Sequence, residues 1–82
     1  DIELSDVERK FVDALKTELQ NNWDGYQTDK ELQGKIGSLV SEFGLTPDIY
    51  KKLYQILINR DLGPKLAGFI RSIGKEKILN IL

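Results

Sequence analysis

Two reciprocal capping pairs constrain this 82-residue chain more than any other feature. Ser5 stands three residues before Glu8 and Thr28 three before Glu31, and each pair leads into apolar residues at helical spacing. Such pairs satisfy N–H groups that the first turn of a helix leaves without partners, so they fix where two helices begin. The first helix carries Val7, Phe11, Val12, Leu15 and Leu19 on one stripe. The second carries Leu32, Ile36, Leu39, Val40 and Phe43, and Gly44 is its natural stop. Gly34 and Gly37 lie inside that second helix, where each costs about 1 kcal/mol relative to Ala. Gly34 projects away from the stripe and is tolerated there; for Gly37 either tolerance or the close approach of another backbone would serve.

The remaining elements are punctuated by Gly, Pro and Asn. Thr46 is placed to cap a third helix with Pro47 at its first position, where the missing N–H is harmless. Its broad face of Ile49, Tyr50, Leu53, Ile56 and Leu57, widened by Tyr54 and Ile58, marks it as the expected centre of the bundle. Asn59 and Arg60 end it, and Gly63-Pro64 opens a fourth helix with Leu66, Phe69, Ile70 and Ile73 on one side. Gly74 stops that helix, and a last one has Ile78, Leu79, Ile81 and Leu82 to bury. The spacing predicts helices over 6–20, 29–43, 47–58, 64–73 and 75–81, with no alternating strand pattern anywhere. The expected fold is all-α: a compact bundle of about five short helices in one domain, residues 1–82. At this length folding hides only about 60% of the unfolded surface, so the core is modest.

Composition narrows the function. There is no Cys, no His and no Met, so thiolate metal sites, the commonest metal ligand and the usual general base are all missing. Catalysis within this chain is therefore not expected, nor is a bound cofactor or metal. No apolar run approaches the roughly 20 residues that span a bilayer, and a cytoplasmic protein without membrane contact is expected. A first residue of Asp rather than Met fits a piece of a longer protein. The net charge of -1 conceals a division. Residues 1–44 hold ten acidic and five basic side chains, and residues 45–82 three acidic and seven basic. The C-terminal half can therefore face a polyanion. Trp23 and Tyr26, set among turn formers, could stack on bases, but the more economical reading has them closing the end of a small core.

The order LSDVERKFVDALKTELQ, then LQGKIGSLVSEFGLTPDIYKKLYQILINRDLGPKLAGFIRSIGKEKIL, resembles the C-terminal anticodon-binding helical domain of class I lysyl-tRNA synthetases, over essentially the whole chain. The most telling element runs from the Leu53–Ile58 helix through a polar break to Gly63-Pro64-Lys65. An apolar helix and Gly74-Lys75-Glu76 follow. Glutamyl-tRNA synthetases carry a similar ending. The residue after Gly-Pro is often Arg in the lysyl family, and Lys65 keeps that charge without the planar fork.

The resemblance implies a module that binds tRNA, with ATP and lysine handled by a catalytic domain of the same polypeptide. The signature of that domain begins with His, which this chain lacks. An anticodon is read by splaying its bases onto flat side chains and exposed backbone groups. By resemblance Gly63, Pro64 and Leu66 lie near the last anticodon base, and Arg60, Lys65, Arg71 and Lys75 hold phosphates. The partner so implied is the anticodon loop of tRNA, with lysine tRNA as the natural candidate. A helical protein-interaction domain that docks a partner through helix three or the terminal ILNIL is the alternative.

Overall fold

In a computed structural model that describes residues 3–60 and 65–82, the chain is all-helical. The elements are α1 (Asp6–Asn22), a single 3-10 turn (Trp23–Gly25), α2 (Asp29–Glu42), α3 (Asp48–Ile58), α4 (Leu66–Ile73) and α5 (Lys75–Ile81). Both capping boxes form. Ser5 Oγ accepts from the Glu8 N–H at 3.2 Å while the Ser5 N–H donates to Glu8 Oε1 at 2.8 Å. Thr28 and Glu31 repeat the exchange at 3.2 and 3.0 Å. At the far end of α2, Gly44 adopts φ 67°, and its N–H reaches Ser41 O while the Leu45 N–H reaches Val40 O. These are the two bonds of a Schellman stop, and the left-handed residue between them is why Gly is needed.

The later helices end differently. Asn59 closes α3 in the left-handed region at φ 57°, its N–H on Gln55 O, a conformation Asn tolerates better than most residues. Pro47 already has helical dihedrals, so α3 starts within a residue of the expected place, with the Ile49 N–H on Thr46 O. Gly74 both ends α4 and starts α5, at φ 97° and ψ 154°, which only Gly adopts without strain.

The core comprises Phe11, Val12, Leu15 and Leu19 of α1, Leu32, Ile36, Leu39 and Val40 of α2, Ile49, Leu53 and Tyr54 of α3, Leu66, Ala67 and Ile70 of α4, and Ile78 of α5. Phe43 meets Phe11 edge-on with ring centroids 6.2 Å apart, tying the end of α2 to α1. The most extensive packing is of α2 with α4, with α1 against α2, α1 against α5 and α4 against α5. This corrects the expectation that helix three is central. Ile56, Leu57 and Ile58 are only half-buried, so its broad apolar face is not fully enclosed. Val7 is a second correction: it shares the stripe of α1 but remains 44% exposed, because it sits in the first turn beyond the covering helices.

Candidate nucleic-acid interface

The residues singled out by sequence fall around the start of α4 and its junction with α5. Gly63 and Pro64 lie outside the described residues. Arg60, just past α3, and Lys65, just before α4, are both exposed and flank that segment. Leu66 is different. Its side chain is 2% exposed and belongs to the core, so only its backbone is left for any ligand.

Arg71 also has a structural task. Its Nη1 donates to Asp29 Oδ1 at 2.6 Å and its Nη2 to the Gln27 carbonyl at 3.3 Å, so the guanidinium grips the N-terminus of α2. Gly68 is part of the same contact, because a Cβ there would stand 2.9 Å from Asp29 Oδ2. One turn away, Gln33 Oε1 accepts from the Ala67 N–H at 3.1 Å, and the Phe69 N–H goes to Lys65 O at 3.0 Å. The Phe69 bond is the helix's own first i→i−4 link, whereas the Ala67 N–H is one of the donors a helix start leaves free, so its use by Gln33 removes one that could have met an oxygen of RNA.

Lys75 is exposed on the first turn of α5. With Ile73, Gly74, Glu76, Lys77 and Asn80 it lines an open hollow of about 480 Å³. Sequence reading passed over Lys77 and Asn80 there, although Lys75 and Lys77 are visible in it as neighbouring cations. It also passed over Asp29 and Gln33, for which no local signal exists. Elsewhere Lys52 is taken up: its Nζ sits 2.7 Å from Glu8 Oε2. Among the described residues Lys51, Arg60, Lys65, Lys75 and Lys77 are exposed and take part in no ion pair.

The aromatic pair near the first turn is placed as the core reading requires. Trp23 and Tyr26 are half-buried and packed against the core, and the Tyr26 hydroxyl donates to Glu18 Oε2. That bond, with a second from Asn22 Nδ2 at 3.0 Å, holds the Glu18 carboxyl below its ordinary range. Burial, and then Glu18, push the Tyr26 phenol up. Neither ring is set out for stacking in this arrangement. Among the described residues no three acidic side chains converge to hold a metal ion, and no helix is long and apolar enough to cross a membrane.

The fold is an all-helical bundle whose C-terminal half carries exposed cations, and comparison with known proteins narrows what it is similar to. No protein-family model and no solved structure matches the chain. Over 80 residues, 96% of its length, it is 32% identical to a lysine–tRNA ligase of Borrelia garinii subsp. bavariensis. It is 33% identical over 79 residues to a lysine–tRNA ligase of Borreliella burgdorferi, and 30% identical over 83 residues to one of Cenarchaeum symbiosum. The chain spans only 15% of the length of each of these relatives. It is thus related, along its whole length, to one segment of lysine–tRNA ligases.

Proposed function

We propose that the chain is the anticodon-binding helical module of a class I lysyl-tRNA synthetase. In this reading it holds the anticodon loop of tRNA, lysine tRNA being the natural partner, while a catalytic domain of the same polypeptide uses ATP and lysine. The chain itself binds and performs no chemistry. One observation carries the reading: full-length similarity to a single segment of lysine–tRNA ligases, in a chain whose C-terminal half carries a net positive charge. Arg60, Lys65 and Lys75 are the phosphate contacts, and Gly63 and Pro64 between the first two lie against a base. Arg71 serves from behind, by bracing α4 on α2 through Asp29.

Protein docking has less support. It needs an extended exposed apolar surface; Ile56, Leu57 and Ile58 of α3 are half-buried rather than exposed, and Val7 is the one large apolar side chain left exposed among the described residues.

A titration with anticodon stem-loops, followed by amide shifts, tests the reading. Three neutralised phosphates on a single strand give a slope of log affinity against log salt of about -2. Lys65→Ala is expected to weaken binding to every loop and to flatten that slope by about 0.7, since a phosphate contact carries no sequence information. Shifts clustered in residues 5–40, or an unchanged slope in Lys65→Ala, would remove this site.

A further inference from the structure

We draw no further inference here: the strongest candidate, the open hollow at the junction of α4 and α5 lined by Lys75, Lys77 and Asn80, lies over the first turns of a seven-residue helix, and among the described residues no buried polar side chain is aimed into it to point to a ligand.

Discussion

The two halves of this molecule are built on different terms. α1 and α2 carry their own starts in capping boxes, end in local signals and contribute eight of the buried core residues, four each. α3, α4 and α5 have no side-chain cap from their own N-cap residues. α4 borrows one from Gln33, and α5 begins on the backbone of Gly74. The first half is therefore a scaffold specified by its own sequence, and the second is held in place by the first. Three exposed cations, Arg60, Lys65 and Lys75, stand along this less self-sufficient part of the chain. Local rules are kept where the scaffold is made and relaxed where binding is proposed.

The largest expected effect tests the dependence directly. α5 holds Ile78 as its one buried side chain, fully enclosed between α1 and α4. Ile78→Ala removes this anchor and leaves a cavity, at a cost of about 2–5 kcal/mol. In urea unfolding the midpoint should fall accordingly, and amide protection in α5 should be lost before that in α1. If α5 keeps its protection while the rest unfolds, the second half is more independent than the comparison holds.

A smaller effect separates the halves by pH. Hydrogen bonds from Lys52 and from the Ser5 N–H hold the Glu8 carboxyl below its ordinary value of 4.5, and Tyr26 and Asn22 do the same for Glu18. Both groups sit on α1. A carboxyl whose pKa is lower in the folded than in the unfolded state contributes stability that is present above 4.5 and lost as pH falls through the folded value. Acidification from pH 6 to pH 3 should thus lower the unfolding temperature. Glu8→Gln should cost about 0.5–1 kcal/mol near neutral pH, because its partner Lys52 is more than a third exposed. The difference between wild type and Glu8→Gln should narrow toward pH 3. A gap that stays constant with pH would mean that neither the Lys52 pair nor the Ser5 N–H favours the ionised Glu8 carboxyl.

Most of the fold was legible because its signals are local. The pairs Ser5/Glu8 and Thr28/Glu31, Gly44 and Gly74 fix helix limits from within a few residues, and the structure places those limits within about two positions of the expectation. α1 runs on through Asn22, whose side chain bonds back to Glu18 one turn earlier. What failed were statements about partners. The stripe of α1 includes Val7, but periodicity names a face without saying whether another helix reaches it. The breadth of the apolar face on α3 suggested a centre, whereas the most extensive packing in the bundle is between α2 and α4. Arg71 looked like any helix-borne cation, and its partner Asp29 lies 42 positions away. No pattern within α4 could have shown that its cap would come from Gln33. Of the candidate site, the exposure of Arg60, Lys65 and Lys75 agrees with what their sequence context suggested, and the burial of Leu66 follows from its place on the apolar stripe of α4.

The smallest effect sharpens the comparison from the scaffold side. Gly34 and Gly37 stand within α2, the element that carries Asp29 and Gln33, and a Cβ built at either position meets nothing within 4 Å. Neither has a positive φ, so neither conformation requires Gly. No close approach among the described residues explains Gly37, and tolerance accounts for both. Replacing either with Ala removes backbone freedom from the unfolded chain and adds helix propensity, for an expected gain of about 0.4–1 kcal/mol at each site. The positions are three residues apart on one helix but share no partner, so the double variant should gain nearly the sum. Neither glycine touches the residues that hold α4, so stem-loop affinity, discrimination and salt slope should all be unchanged in a scaffold that unfolds several degrees higher. A variant that gains stability but loses affinity would show that the bare backbone of α2 is itself approached by the RNA, and would move part of the interface onto the half assigned here to support.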